Sequence, residues 1–280
     1  MCHRYLPNGR CWRLIARDSL QRITYVIRGR TGPMVSDLFL HSQLDYKNLL
    51  DSIVTPGCRW LDIGCGHTLV PDWIHDSVGF QRRLLSRCEI ARGCDPVDDR
   101  PHKAGLQKYV GDCTVLPYPD GFFNLVTANM VVEHIKDTQS FGREVHRVLA
   151  PGGKFVFHTP NLRNPVVFLA SLLPARLVRF VANRLDGRSH EDVFPTYYRM
   201  NTRRAISRVP GFDILNLRCS PTGPLLGKVR LVGRVESLFL RGAFHPLLED
   251  LQADLIVILE KQSARSPDMS AACVGELVAS

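Results

Sequence analysis

Closely spaced cysteines are missing from this sequence. It contains nine cysteines, an odd number, and no two of them form a Cys-x-x-Cys pair. Disulfide-stapled secreted domains and zinc sites both depend on paired cysteines at short spacing. We therefore expect reduced thiols in a cytoplasmic protein, and we expect no metal site.

Long apolar runs are missing as well. No segment approaches the ~20 consecutive apolar residues that are needed to cross a bilayer. The first 30 residues carry several arginines and no continuous apolar stretch, so we expect no secretory signal. What is present is an ordinary globular composition, 45% hydrophobic and 22% charged, with a net charge of +9. Such a charge permits anionic partners, but basicity alone is weak support for nucleic acid, which we do not expect.

Short apolar runs recur along the chain, with helical or loop segments between them. Alternation of this kind predicts an α/β fold with a parallel sheet and crossover helices. The runs that read as strands are 59–63, 89–94, 107–110, 125–128, 154–158, 213–218 and 253–261.

The strand pattern also divides the chain into parts. Residues 1–57 read as a helical N-terminal preface that ends at Thr55-Pro56-Gly57, a turn-forming sequence. Residues 58–262 form the α/β domain, with insertions at about 162–208 and 221–251. Residues 263–280, rich in serine and alanine, are expected to be a flexible tail.

The first strand ends in Asp62-Ile63-Gly64-Cys65-Gly66. Glycines spaced in this way let the backbone turn sharply and approach a ligand at the carboxyl end of a strand, although a tight turn without a ligand uses the same residues. A nicotinamide-binding fingerprint requires glycine or alanine where Leu69 stands, and no Gly-Lys-Ser/Thr follows for a P-loop. The motif therefore favours another nucleotide.

Two further carboxylates follow the next strands. Asp95 precedes Pro96 at the tip of the second strand, a position suited to a ribose diol, although an exposed loop aspartate is the alternative. Asp112 and Cys113 follow the third strand. The three motifs in this order are a more specific signal than any one of them.

Residues 58–161 resemble the class I methyltransferases that depend on S-adenosylmethionine (SAM), in particular the group with Asp-x-Gly-x-Gly and a Glu-His pair after the fourth strand. The resemblance implies a Rossmann-like sheet, mostly parallel with an antiparallel last strand, and SAM as the cofactor. It implies that Asp62, Gly64 and Gly66 line the methionine moiety and that Asp95 holds the ribose hydroxyls. Pro96 and Asp112 would lie against the adenine, with Cys113 contributing its backbone amide. Asn129 would lie beside the donor amino group.

The sequence departs from this pattern in two places. His67-Thr68 stands where many members carry a third glycine, and the stretch before Asp95 is long. The Asp/Asn-Pro-Pro-Tyr/Phe motif of the amino-methylating DNA enzymes is absent after the fourth strand, so the resemblance does not extend to them.

Two segments are candidates for the methyl-acceptor side. His134, next to Glu133, has a side chain suited to a general base, although the pair also suits the start of a helix. The segment from His190 to Arg199 is the other candidate, and its alternative is a loop leading to a helix after Asn201-Thr202. We predict His134, His190 and Tyr198 as catalytic residues.

The apolar run 165–174 precedes Arg176, Arg179 and Arg184. Such a run is more often core, but it is also typical of a helix at a membrane surface or the lid of a lipid pocket. A lipid-like acceptor and peripheral membrane contact therefore remain open.

The resemblance favours methyl transfer to a small molecule, lipid or glycan, with RNA or protein as a less favoured acceptor. A catalytically silent protein with this fold, which binds a partner through basic insertions, is the alternative. A nicotinamide oxidoreductase is disfavoured by Leu69. The sequence indicates neither the acceptor nor the oligomeric state.

Overall fold

The computed structural model describes residues 41–97, 100–173, 194–222 and 246–262. The chain divides into two compact units, residues 1–36 and 37–280, and everything described here belongs to the second. The predicted preface is thus described only from residue 41, and His190 and the predicted tail lie outside the described residues.

Seven strands form one sheet in the order β3-β2-β1-β4-β5-β7-β6. Strands β1 to β6 run parallel, and β7 is antiparallel to both of its neighbours. The strands are β1 (Cys58–Ile63), β2 (Cys88–Asp95), β3 (Gln107–Val110), β4 (Phe123–Asn129), β5 (Leu149–Pro160), β6 (Phe212–Ser220) and β7 (Asp254–Lys261).

Among the described residues, one helix precedes β1 and the others lie in the connections between strands. They are α1 (His41–Ile53), α2 (Ser77–Leu85), α3 (Thr138–Val148), α4 (Pro165–Ser171) and α5 (Arg203–Ile206), with 3₁₀ turns at Val132–His134 and Pro246–Leu251. None of the helices in the described part of the chain has the length and apolarity needed to span a bilayer.

The order of the strands reverses between β1 and β4. The chain builds outward from β1 to β2 and β3, then returns to place β4 on the other side of β1. Ile63 is paired with Ala128, so the two strands end together. Open α/β sheets bind ligands in the crevice that such a reversal opens at the carboxyl ends of the strands.

Both faces of the central strands are buried, as a parallel sheet between two layers of helices requires. Leu61 and Ile63 of β1 join one apolar cluster, whereas Trp60 joins the cluster on the opposite face. Side chains alternate between the faces of a strand, so Asp62 lies on the same face as Trp60. This places an aspartate inside the core at the edge of the crevice.

Helix α3 shows why the connections are helical where they are. Asp137 caps it by accepting hydrogen bonds from the backbone N–H groups of Gln139 and Ser140. Phe141, Val145 and Val148 follow at helical spacing and are all fully buried. The helix ends where β5 begins, directly after Val148.

The predicted α/β fold is confirmed, and so is the antiparallel direction of the last strand. All seven predicted strands are present, most of them longer by one or more residues at their ends. The Pro151-Gly152-Gly153 sequence, whose composition is typical of a turn, lies inside β5. There Gly152 has φ +72° and the pairing with β4 shifts register, which makes it a bulge rather than a separate turn.

The apolar run after β5 differs from the core interpretation that we favoured. Val167 is the buried residue of α4, because the helix contacts the domain along one narrow stripe. The other large side chains of the run are exposed: Phe168, Leu169, Leu172 and Leu173. The core interpretation is therefore wrong for these four residues.

Candidate functional site

The loop after β1 requires glycine at two positions. Gly64 and Gly66 have φ angles of +67° and +48°, a region that side chains with a Cβ rarely adopt. A Cβ at Gly64 would also overlap the side chain of Val131, which follows β4. The Gly64 N–H donates to the carbonyl of Cys94 over 2.7 Å, which holds the loop against the end of β2.

Asp95 holds the same loop from the tip of β2. Its carboxylate accepts from the N–H of Gly66 at 3.0 Å and from the N–H of Val97 at 3.1 Å. Lys108 of β3 donates to the carbonyl of Gly66 at 2.8 Å. Asp95 thereby links the glycine loop to the end of β2. The contact with Gly66 is a role that the sequence did not indicate.

Asp62 is buried and hydrogen-bonded at the end of β1. The Thr127 hydroxyl donates to its carboxylate, and the same hydroxyl accepts from the Trp60 indole N–H at 2.7 Å. Burial raises the pKa of Asp62 to about 7, the Thr127 hydrogen bond lowers it, and the nearby charge of Asp95 raises it. Burial also raises the pKa of Tyr46, which lies beside this group.

Asn129, the last residue of β4, is held by two neighbours. His158 Nδ1 lies 2.9 Å from its Oδ1, and the Gln43 carboxamide of α1 forms hydrogen bonds of 3.0 and 3.4 Å with its two side-chain atoms. His158 is buried, stacks on Tyr46 with ring centroids 5.6 Å apart, and has Nε2 3.4 Å from the Asp254 carboxylate. Asn129 is thereby oriented at the mouth of the crevice.

An open cavity of about 660 Å³ lies beside these strand ends. It brings together three predicted cofactor residues, Pro96, Asp112 and Cys113, with the predicted catalytic residue His134. The remaining lining residues are Gly111, Thr114, Ile135, Lys136, Asp137 and Ser140. The first loop and Asn129 are not part of the lining; they lie at the ends of the neighbouring strands β1 and β4.

His134 ends the 3₁₀ turn after β4, and its ring is fixed in one orientation. Nδ1 lies 2.9 Å from the carbonyl oxygen of Pro195, and the ring meets Phe194 edge-on. A carbonyl oxygen only accepts, so Nδ1 carries the hydrogen and Nε2 keeps its lone pair. Burial lowers the pKa of His134 from its ordinary value, which favours the neutral form.

The segment around Tyr198 lies against the same turn. The backbone N–H groups of Tyr197 and Tyr198 both donate to the carbonyl of Glu133, at 2.7 and 3.1 Å. Tyr198 has a φ angle of +52°, and burial raises the pKa of its hydroxyl. The structure thus brings His134 and Tyr198 to one side of the crevice, while His190 lies outside the described residues.

Glu133 lies in the 3₁₀ turn Val132–His134 and is buried. Its side chain is buried, accepts from the Thr159 hydroxyl at 2.9 Å, and lies 3.9 Å from Nε2 of His134. Burial raises its pKa to about 7. Asn201 extends this network by donating to Thr159 at 2.7 Å, so the pair is anchored in the core.

Sequence reasoning missed the residues that position Asp62 and Asn129 by direct contact or through a neighbour. They are Gln43, Tyr46, Thr127 and His158. Gln43 and Tyr46 lie in a helix that precedes every recognisable motif, and Thr127 and His158 stand inside apolar strands. The one available signal was a polar residue within a run predicted to be buried on both faces, since such a residue needs a partner. Among the described residues, no group of three or more His, Cys, Asp or Glu side chains could hold a metal ion.

A family model matches the part of the chain that carries these motifs. Residues 61–157 match the model of the methyltransferase domain family. A chain from the solved Haloferax volcanii complex that contains the Trm112 methyltransferase activator is 15% identical, with a TM-score of 0.52. That match covers 90% of this chain and 99% of the other, and it supports the fold alone.

Curated relatives include small-molecule methyltransferases. Norajmaline N-methyltransferase from Rauvolfia serpentina is 33% identical over 47% of this chain and 46% of its own length. Ubiquinone biosynthesis O-methyltransferase from Hahella chejuensis is 28% identical over 69% of this chain and 78% of its own length. The chain spans about half the length of the first of these relatives.

The buried Asp62 gives a testable pH dependence of stability. Its pKa is about 7 in the folded protein against an ordinary 3.8, so the folded state binds the proton more tightly than the unfolded state. The stability that this proton contributes is complete below pH about 4 and is lost as the pH rises through about 7. A tenfold difference in proton affinity between the two states corresponds to about 1.4 kcal/mol of stability. We expect Asp62→Asn to remove this decline.

Urea unfolding measured between pH 4 and 8 would test this expectation. Asp213→Asn, a substitution at an exposed aspartate of β6, is the matched control and should follow the wild-type curve. If the wild-type protein and Asp62→Asn differ by the same free energy of unfolding at every pH, the raised pKa assigned to Asp62 is wrong.

Proposed function

We propose that this chain, whose residues 61–157 match the methyltransferase domain family, is a SAM-dependent class I methyltransferase that transfers a methyl group from SAM to a small, largely apolar acceptor. One observation carries the proposal. The glycine loop, the carboxylate of Asp95 and the cavity lined by Asp112 and His134 meet at the carboxyl ends of neighbouring strands, where the strand order reverses.

The residues fit the parts of SAM by their chemistry. The Asp95 carboxylate at the tip of β2 suits the ribose diol, since a carboxylate accepts hydrogen bonds from hydroxyl groups, and Pro96 with Asp112 and Cys113 lines a cavity beside it for the adenine. Asp62, Gly64, Gly66 and Asn129 would hold the methionine end. This assignment follows the resemblance residue by residue, and the geometry described above supports it.

SAM, when bound, supplies an electrophilic methyl group that is displaced in line by the acceptor. The chain's contribution is then to hold the acceptor at near-attack distance and exclude water, which supplies several kcal/mol. Where the acceptor is a hydroxyl group, His134 Nε2 is the base that we assign, because its lone pair is free while Nδ1 is engaged by Pro195. We assign Tyr198 to acceptor binding on the same side, and the predicted role of His190 stays a prediction.

Exposed apolar side chains support an apolar acceptor. Phe194 and Tyr197 are each about 40% exposed; Phe194 contacts the His134 ring, and Tyr197 donates to the carbonyl of Glu133. Helix α4, which follows β5 in the sequence, also carries exposed apolar side chains. Two relatives bear names that refer to norajmaline and to ubiquinone biosynthesis. Both facts favour a small molecule or lipid intermediate over nucleic acid.

A catalytically silent member of the fold remains the second candidate, together with an RNA or protein methyltransferase. An extract assay with radiolabelled SAM separates them. A labelled small molecule whose formation depends on His134 supports a small-molecule methyltransferase. Labelled RNA or protein would show that the acceptor is a macromolecule. SAM binding without any labelled product in many extracts supports the catalytically silent protein.

We also place the protein in the cytoplasm, because every described cysteine is a free thiol. Peripheral membrane contact is the finer proposal. The exposed apolar residues of α4 are followed in the sequence by Arg176, Arg179 and Arg184, a combination suited to an anionic lipid surface.

Calorimetric titration tests the cofactor assignment. We expect SAM and S-adenosylhomocysteine to bind and NAD not to bind. Asp95→Asn should lower SAM affinity by roughly 10-fold to 150-fold, because a charged acceptor of two hydroxyls is lost. Asp213→Asn, an exposed control, should bind SAM normally. NAD binding without SAM binding would refute the cofactor assignment. Unchanged SAM affinity in Asp95→Asn would show that the ribose does not bind at Asp95.

Vesicle sedimentation tests the membrane proposal. We expect binding to vesicles that contain phosphatidylglycerol, weakening as salt is raised, and little binding to pure phosphatidylcholine. Leu169→Ser should reduce binding several-fold because it removes buried apolar area. Leu215→Ser, at a similarly exposed leucine of β6, is the control. Equal binding by both variants would rule α4 out as the contact.

A further inference from the structure

Helix α1 reaches the strand ends that form the proposed donor site. Gln43, in its first turn, pairs with Asn129 of β4: Asn129 Nδ2 donates to Gln43 Oε1 at 3.0 Å, and Gln43 Nε2 donates to Asn129 Oδ1 at 3.4 Å. The two carboxamides therefore form a closed, reciprocal pair beside the crevice.

The pair leaves Asn129 Oδ1 without spare capacity. A carbonyl oxygen has two lone pairs, and here one faces His158 Nδ1 at 2.9 Å and the other Gln43 Nε2 at 3.4 Å. The amino group of SAM is an ammonium group, which only donates hydrogen bonds. Asn129 Oδ1 can therefore accept from it only if His158 Nδ1 or Gln43 Nε2 moves away.

Gln43 is the donor that can withdraw. His158 is fixed, since it is buried, stacked on Tyr46 and 3.4 Å from the carboxylate of Asp254. Gln43 makes the longer hydrogen bond and is only half-buried. The helix itself is anchored independently of Gln43, because Tyr46 is buried and Asp45 accepts from the Ser220 hydroxyl at 2.8 Å.

We propose that Gln43 is a donor-binding residue that selects for the amino-acid end of SAM. In the free protein its carboxamide occupies the amino-group position at Asn129. When SAM binds, the hydrogen bond from Gln43 Nε2 to Asn129 Oδ1 breaks, and Asn129 Oδ1 accepts from the ammonium group of SAM instead. Gln43 Oε1 accepts from the same ammonium group. This inference rests on the proposed function, because it requires SAM to bind at the ends of β1 and β4.

Two ligands separate this role from simple support of the fold. 5′-Methylthioadenosine shares the nucleoside and the sulfur of SAM but lacks the amino-acid end. Both ligands are titrated calorimetrically into the full chain. Gln43→Leu should lower SAM affinity about tenfold, because an acceptor of a charged donor is lost, and should leave methylthioadenosine affinity within about twofold. Gln43→Glu, which keeps an acceptor, should retain the preference for SAM.

Gln107→Leu, a substitution at an exposed glutamine of the edge strand β3, is the matched control and should bind both ligands as the wild type does. Equal losses for SAM and methylthioadenosine in Gln43→Leu, or no loss for either, would overturn the role of Gln43 while leaving the proposed function intact. A wild-type chain that binds neither ligand would overturn both.

Discussion

The site depends on one constraint of the backbone: β1 and β4 are neighbours in the sheet and end at the same level. The pairing of Ile63 with Ala128 brings the glycine loop after β1 against Val131 after β4, and it places Asp62 beside Thr127. If either strand shifted by one residue, its side chains would change faces and Asp62 would leave its hydrogen bond. The crevice, the oriented Asn129 and the turn that carries His134 all follow from this register.

The same strand ends concentrate polar groups that would be costly if they were left unsatisfied. Asp62, Glu133 and His158 are each buried, and each has a polar neighbour on an adjacent strand or helix. Burial disfavours the charged form of each group: it raises the pKa of the Asp62 and Glu133 carboxyl groups to about 7 and lowers the pKa of His134. Burial thereby favours the neutral forms of His134, Asp62 and Glu133, and such shifted pKa values are typical of functional sites.

The sequence predicted the strands well because a parallel sheet buried on both faces demands apolar runs, and those runs are visible. It also predicted the positions of Asp62, Asp95 and Asp112, since each lies at or close to the carboxyl end of a strand. It could not predict that Gln43 and Tyr46 reach the site, because no local pattern reveals which helix covers a crevice. Nor could it predict the exposure of Phe168 and Leu169, since an apolar run reads alike whether it faces the core or an external partner.

The central claim is that this crevice holds SAM with its sulfur facing the acceptor side. A crystal structure of the chain with S-adenosylhomocysteine tests it most directly. The account predicts the ribose hydroxyls on Asp95, the adenine between Pro96 and Asp112, and the sulfur on the side of His134. A nucleoside bound away from the ends of β1 and β4, or bound there with its sulfur turned away from His134, would contradict it.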